Sequence, residues 1–391
     1  MGIKQKTLAQ SKPDRNRTFA SNAVGKLGFL TGFHYIRGVA ALWVVFFHLK
    51  LYLFPEHNEI WLKPIQRGYL LVDLFFVLSG FLMAYLYGSF FENTLNKKAI
   101  GTFLKARIAR IYPLHFFTFL LLFSWYCFNV FILGKPREYG RIYEESAVLS
   151  QLFLVQAWGI HSGNTWNIPA WSISTEWAAY LVFPFWWRFW SKMGVRGAFF
   201  FLPMALLGYF ILEIFHTKQN LDITFDWALL RCFLGFGCGM ALFVITPTIV
   251  TFFEKQSLLK ALNSLTLLVV TCLVMVFSSN DTSVVALWPI WVFYSFWKSD
   301  LYPAGLQKTL HFLGNISFSL YLIHLPLLYL VPQALNMGDP INLPEYTRLS
   351  ISFVFLVTTL ALSQLTYHKI EQPMRSWLRK KLGLSAAPSF T

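Results

Sequence analysis

The sequence predicts an all-α, polytopic membrane protein with about ten transmembrane helices and both termini in the cytoplasm. Three observations carry that reading. Hydrophobic residues make up 56% of the 391-residue chain and charged residues only 13%, about half the share of ~25% that a soluble globular domain carries. The apolar segments recur along the whole length, with a mean hydropathy of +0.50, so one membrane-embedded body is expected rather than two or three soluble domains. The lysines and arginines, finally, sit in short clusters between alternate apolar runs.

Residues 1–28 form a flexible basic tail, with Lys4, Lys6, Lys12, Arg15, Arg17 and Lys26 against the single acid Asp14. No apolar stretch with a small-residue cleavage site follows closely, so the segment reads as a cytoplasmic tail and not as a cleaved signal peptide. Membrane helices are predicted near 36–54, 69–90, 112–133, 169–190, 198–214, 227–246, 262–278, 284–297, 313–333 and 347–368, judged against the roughly 20 apolar residues that a span needs. The stretch 147–160 is apolar but short, and is assigned to an interfacial or re-entrant helix with Trp158 and Trp166 at headgroup level. Residues 29–378 thereby form one transmembrane domain, and 379–391 a cytoplasmic C-terminal tail.

Charge tests the topology. With the N-terminus inside, the cytoplasmic segments hold 23 of the 33 Lys and Arg, and the external loops hold six: Lys63, Arg67, Lys135, Arg137, Arg141 and Lys218. That asymmetry is the positive-inside signature. The net charge of +15 therefore reads as topology and not as a nucleic-acid surface. Cys127, Cys232, Cys238 and Cys272 all lie in apolar runs without metal-ligand spacing and are expected to be buried thiols. No internal repeat, Walker loop, dinucleotide fingerprint or zinc motif is present, so neither a metal nor a resident cofactor is expected.

A charge at mid-bilayer costs on the order of 3 kcal/mol even on the lenient insertion scale, so each ionisable group inside a span asks for a reason. Arg37 and His48 lie eleven residues apart on the first helix. That spacing is three turns plus about 20°, so both project from one face, about 16 Å apart along the axis. Asp73 enters the second helix from outside at a depth close to that of His48, which makes a His48–Asp73 contact the expectation. A carboxylate on one ring nitrogen fixes the tautomer and raises basicity at the other, as general-base catalysis needs. A structural polar pair joining two helices fits these residues equally well.

Arg107 and Arg110 stand at i,i+3 spacing in the inner loop before the third helix. Forked guanidinium donors on one helix face suit phosphate oxygens, although an ordinary positive-inside anchor has the same composition. Glu176, beside Ser172 and Ser174 at the opening of the fourth helix, needs a partner or a hydrated pocket. Neither serine sits in a Gly-x-Ser-x-Gly elbow. Arg231 is a further buried cation, with Glu213 or Asp226 as expected partners, and His324 precedes Pro326 in the ninth helix, where the proline frees a backbone carbonyl.

Together these segments resemble the acyltransferase-3 family of membrane O-acyltransferases, which includes bacterial O-antigen, exopolysaccharide and nodulation-factor acetyltransferases. The resemblance runs from about residue 33 to 378. Its carriers are the Arg37–His48 spacing, Val72-Asp73-Leu74-Phe75-Phe76-Val77-Leu78-Ser79-Gly80-Phe81 and Arg107-x-x-Arg110-Ile111-Tyr112-Pro113. Trp171-Ser172-Ile173-Ser174-Thr175-Glu176, Tyr321-Leu322-Ile323-His324-Leu325-Pro326 and Ile370-Glu371-Gln372-Pro373 follow in order. Each motif alone is weak; six in one order are specific.

The resemblance implies transfer of an acyl group, acetyl in the first instance, from acyl-CoA as co-substrate to a hydroxyl of an envelope or lipid-linked saccharide in the bacterial inner membrane. It puts the family's motif histidine and arginine on His48 and Arg37, its arginine pair on Arg107 and Arg110, and its helix-two acid on Asp73. His48 and Asp73 are then the catalytic candidates, and Arg37, Arg107 and Arg110 the donor-binding ones. Ser172, Glu176, Arg231 and His324 are left to the acceptor or the pocket. Thr175 and Trp177 depart from the family's usual helix-four pattern. No hydrolase-like domain follows the last predicted span, so a stand-alone form is expected. Two other classes compete: a transporter of a glycan or lipid-linked intermediate, since intramembrane charges also mark substrate pathways, and a non-catalytic scaffold for glycan assembly.

Overall fold

The computed structural model describes residues 28–136, 142–253, 264–297, 304–334 and 340–384. The basic tail up to residue 27, the C-terminal tail beyond 384, and Arg137, Arg141, Lys255, Lys260 and Lys298 of the charge count lie outside the described residues. Every regular element among the described residues is helical.

The main helices are α1 (Gly28–Leu53), α2 (Leu71–Phe91), α3 (Lys97–Cys127), the short α4 (Val148–Phe153), α5 (Ala170–Phe215), α6 (Ala228–Phe253) and α7 (Ser264–Phe277). They are followed by α8 (Trp288–Trp297), α9 (Gln307–Ala334), α10 (Glu345–Thr366) and α11 (Gln372–Lys381). Among the described residues, 7 helices are long and apolar enough to cross a membrane, and the chain is a multi-pass membrane protein. α5 contains both predicted spans 169–190 and 198–214 in 46 residues. At 1.5 Å per residue that is about 69 Å, more than twice the ~30 Å hydrocarbon core. Gly194, at φ 59 and ψ −154, breaks the axis, a conformation that only a residue without a Cβ adopts cheaply. The predicted spans 262–278 and 284–297 correspond to the shorter apolar helices Ser264–Phe277 and Thr282–Trp297.

Two helix pairs organise the interior. α2 and α6 touch backbone to backbone: a Cβ on Gly80 would stand 1.9 Å from the Phe236 carbonyl oxygen, and one on Gly239 2.0 Å from that of Val77. α1 and α9 run parallel, as the successive contacts of His34 with His311, Arg37 with Ser317, His48 with His324 and Tyr52 with Tyr329 require. Gly38 and Gly314 allow that approach, since a Cβ on Gly38 would lie 2.6 Å from the Gly314 nitrogen.

The segment assigned to a headgroup-level helix does something else. Its α-helical part is confined to Val148–Phe153, preceded by a 3-10 turn over Glu145–Ala147, and Trp166 is fully buried. Its indole Nε1 donates to the Glu144 carbonyl at 2.7 Å, and its ring meets Phe119, Tyr126 and Tyr143 edge-on. Trp166 thus plugs the bundle instead of anchoring it in the interface. The loop behind it folds inward because its polar groups find partners there. Asn167 donates to Thr118 at 2.9 Å and to the Leu322 carbonyl at 3.2 Å. That carbonyl is the one left without an intrahelical partner by Pro326, four residues on.

Candidate active site

The three arginines predicted for the donor come together. Arg37 of α1 and Arg107 and Arg110 of α3 line one cavity of about 870 Å³. It sits where α1 begins, α2 ends, α3 begins and α11 follows α10, so it belongs to one end of the bundle. Arg37 donates to Ser317 Oγ at 3.2 Å. Arg107 donates to the Tyr87 hydroxyl at 2.7 Å, with its guanidinium 4.9 Å over the same ring, while its buried Nε has no hydrogen-bond partner among the described residues. Arg110 pairs with Glu371, whose second oxygen accepts from Ser319 at 2.8 Å. Ser172 and Glu176, predicted for the outer side, line this same cavity. Ser79 and Tyr180 both donate to Glu176 Oε1, and Ser172 Oγ lies 2.9 Å from the Tyr321 hydroxyl.

His48 lies beyond that contact. It lines a second cavity of about 280 Å³, together with Tyr52, Tyr69, Trp171, Asn164 and Asp222. This cavity opens where α1 ends and α2 begins, at the opposite end of the bundle, and Tyr321 is a wall of both. The alignment of Arg37 and His48 along one face of α1 therefore holds, with one residue in each chamber.

The expected His48–Asp73 contact does not form. Asp73 is fully buried and its carboxylate is taken by Arg231, at 3.0 Å from Nε and 2.6 Å from Nη2, and by the Tyr209 hydroxyl at 3.0 Å. Arg231 also donates to the carbonyls of Ile223 and Tyr69, both at 3.0 Å. Neither residue of the pair lines either cavity. Arg231 is thus not partnered by Glu213 or Asp226. Glu213 accepts from the backbone N–H groups of Asp281 and Thr282, and Asp226 faces His216 at 3.4 Å. A buried cation is worth keeping only when its fork is filled, and Asp73 fills it across the α2–α6 contact. The pair lies under the chamber wall, with the Arg231 guanidinium 5.2 Å over the Trp171 ring.

The partner of His48 is His324, whose Nε2 lies 3.1 Å from His48 Nδ1. His324 Nδ1 faces the Leu320 carbonyl at 3.1 Å and His48 Nδ1 the Val44 carbonyl at 2.9 Å. Carbonyls only accept, so in the neutral rings the proton pattern assigns N–H to both Nδ1 atoms. His324 Nε2 then presents its lone pair to the Nδ1–H of His48, and the lone pair of His48 is left on Nε2. The contact expected between His48 and Asp73 is thus made with a histidine.

Glu371, Ser317 and Tyr321 were not singled out for the site, although Glu371 and Tyr321 lie in motifs that carried the resemblance. Arg375 and Arg379 of α11 also line the large cavity. Counted as positive-inside charge, they gave no separate signal. The four cysteines form no disulfide, and among the described residues no group of His, Cys, Asp or Glu suited to a metal ion comes together.

The helical membrane bundle thus holds an arginine-lined chamber at one end and, toward the other, a histidine pair of which His324 is buried and His48 half-buried. Residues 30–368 match the family described as "Acyltransferase domain", acyltransferase-3, and the chain belongs to that family. Acyltransferase MdmB of Streptomyces mycarofaciens is 35% identical over 180 residues, covering 44% of this chain and 42% of the relative. Protein 2 in picA locus of Rhizobium radiobacter is 41% identical over 102 residues, 26% of this chain and 47% of the relative. O-acetyltransferase OatA of Staphylococcus aureus is 24% identical over 383 residues, 89% of this chain and 57% of the relative. The chain spans about half the length of these curated relatives. No solved structure matches it.

Proposed function

We propose that the protein is a membrane O-acyltransferase that moves an acyl group, acetyl in the first instance, from acyl-CoA to a hydroxyl of an envelope or lipid-linked saccharide. The observation that carries the reading is the arrangement along α1, with Arg37 in an arginine-lined chamber and His48 in the chamber behind it. The phosphates of coenzyme A bind to Arg37, Arg107 and Arg110, whose forked donors match phosphate oxygens. The thioester arm extends past Ser172 and Tyr321 towards His48, about 16 Å from Arg37 by helix geometry. His48 Nε2 takes the acceptor hydroxyl proton, the hydroxyl oxygen attacks the thioester carbonyl, and the coenzyme A thiolate leaves. The imidazolium then supplies the proton that yields the free thiol. His324 holds the His48 tautomer throughout.

Ten spans follow if α5 crosses twice about Gly194 and the two shorter apolar helices also cross. Both termini then lie in the cytoplasm of a bacterial inner membrane, the donor chamber faces the cytoplasm, and the acceptor reaches His48 from the other side. The test is the full-length protein in nanodiscs with acetyl-CoA and a saccharide acceptor, read as thiol release and as acylated product. Turnover without an ion or voltage gradient is the expected result, falling by at least ~10²-fold in His48→Ala. Uptake of glycan into vesicles without any thiol release would instead make the protein a transporter.

A further inference from the structure

Glu176 is the only acid among the described residues that line the arginine chamber. We propose that its Oε2 accepts a hydrogen bond from an amide N–H of the pantetheine arm of the acyl donor, so that Glu176 reads the stretch between the phosphates and the thioester. The assignment rests on the acyl-CoA reading above and gives Glu176 to the donor, not to the acceptor.

Spare hydrogen-bonding capacity is the first argument. Ser79 and Tyr180 both donate to Oε1, and Oε2 takes no hydrogen bond or ion pair from the described residues. The two donors come from α2 and from the next turn of α5, so the carboxylate is held from two sides with one oxygen left over. A carboxylate accepts at both oxygens. In a chamber that takes phosphates it costs affinity through like charge, unless the ligand also brings donors to it.

Position is the second. Ser172, Glu176 and Tyr180 follow one another at i, i+4 and i+8 on α5 and all line the chamber, about 6 Å apart along the axis. Ser172 meets Tyr321, the wall shared with the His48 chamber, at 2.9 Å. Tyr180 lies beside Arg107, whose guanidinium is 5.8 Å from its ring centre. Glu176 therefore stands between the partition and Arg107. α2 repeats the order: Phe75 meets Tyr321 edge-on, Ser79 donates to Glu176, and Tyr87 accepts from Arg107.

The chemistry of the donor at that level is the third. With the phosphates at Arg107 and the thioester drawn past Tyr321, the part lying between them is the pantetheine arm. Its two amide nitrogens are three and seven bonds from the sulfur, about 4 and 9 Å in an extended chain. They bracket the single turn that separates Glu176 from Ser172. On α2 the facing wall is apolar, with Leu78, Leu82, Met83 and Leu86, which suits the methylene and methyl groups of the arm. Convergence of one polar group on an otherwise apolar wall is how such sites fix orientation.

The experiment is a double-mutant cycle between protein and ligand. Acetyl-CoA and two analogues, each with one of the arm's amide N–H groups replaced by an ester oxygen, are bound to the full-length protein in nanodiscs. The proteins are wild type, Glu176→Gln and Glu176→Ala. Glutamine keeps an oxygen for Ser79 and Tyr180 while turning an amide NH2, which cannot accept, to the chamber. Wild type is expected to bind one of the analogues about 10-fold more weakly than acetyl-CoA, the weight of one hydrogen bond to a charged group. Both variants should close that gap by weakening acetyl-CoA alone. If wild type binds both analogues as well as acetyl-CoA, or if the variants keep the gap because every ligand weakens alike, Glu176 merely shapes the chamber; the assignment falls and the acyl-CoA donor stands. If wild type binds no acetyl-CoA at all, the donor reading falls and the assignment with it.

Discussion

Nε2 of His324 lies 3.1 Å from Nδ1 of His48, and the two residues are 276 positions apart in the chain. Because His324 Nδ1 is committed to the Leu320 carbonyl, its Nε2 is an acceptor and the His48 proton is held on Nδ1. In the proposed mechanism the base is the other His48 nitrogen, which faces no hydrogen-bond partner among the described residues.

His324→Ala should lower turnover by roughly ten-fold or more, since the His48 tautomer is no longer fixed from outside its own helix. His324→Gln offers an amide oxygen to the same N–H and should retain most of the activity. The KM for the donor should stay put in both, because His324 lines neither chamber. Steady-state kinetics on the three proteins decides the matter: equal kcat in all of them removes His324 from the mechanism.

Asp73 and Arg231 make a different prediction, about folding. Both side chains are fully buried. Removing one partner strands a charge and should destabilise the protein by about 3–5 kcal/mol, whereas replacing both by apolar residues of similar size costs far less. Asp73→Leu and Arg231→Met should each lower the midpoint of thermal unfolding in detergent, and the double variant should recover much of the loss. A double variant as unstable as the sum of the singles would mean that the pair is not the unit that matters.

These two pairs show what sequence could and could not deliver. The alignment of Arg37 and His48 was legible because it depends only on the 3.6-residue period within one helix. The partners of His48 and Asp73 were not, because they come from helices distant in the chain, and a short loop between α1 and α2 does not decide which polar group faces which. Trp166 misled for a related reason: tryptophan is favoured both at a lipid interface and in a packed core, and only the burial of the surrounding loop separates the two. Arg375 and Arg379 were hidden by composition. An arginine that anchors topology and one that lines a ligand chamber look the same in a basic C-terminal run.

The contact between α2 and α6 is a third place to intervene. With the Phe236 carbonyl 1.9 Å from the position of an added Cβ, Gly80→Ala requires the two backbones to separate. Overpacking of this kind typically costs about 1–3 kcal/mol. Because α2 carries Asp73 and Ser79 as well, the strain should also loosen the chamber walls. Gly80→Ala should therefore lower thermal stability and donor affinity together, while Gly101→Ala, where nothing stands within 4 Å, should change neither.

Tyr321 is a wall of both chambers, is buried, and holds its place through the Ser172 hydroxyl at 2.9 Å and the edge of Phe75 at 5.9 Å between ring centres. On the proposed acyl-CoA mechanism, a partition at that point would keep water in the His48 chamber away from the thioester until an acceptor is bound, which is one way a transferase suppresses hydrolysis. Tyr321→Phe removes the hydroxyl contact but leaves the ring, so the seal should survive with modest loss. Tyr321→Ala joins the two chambers. Thiol release from acetyl-CoA in the absence of acceptor should then rise several-fold relative to wild type, while acylation of the acceptor falls because the arm is no longer guided. The ratio of hydrolysis to transfer reports on this directly, since a merely destabilised enzyme loses both in proportion. If Tyr321→Ala leaves the ratio at its wild-type value, the ring between the chambers is packing and not a seal.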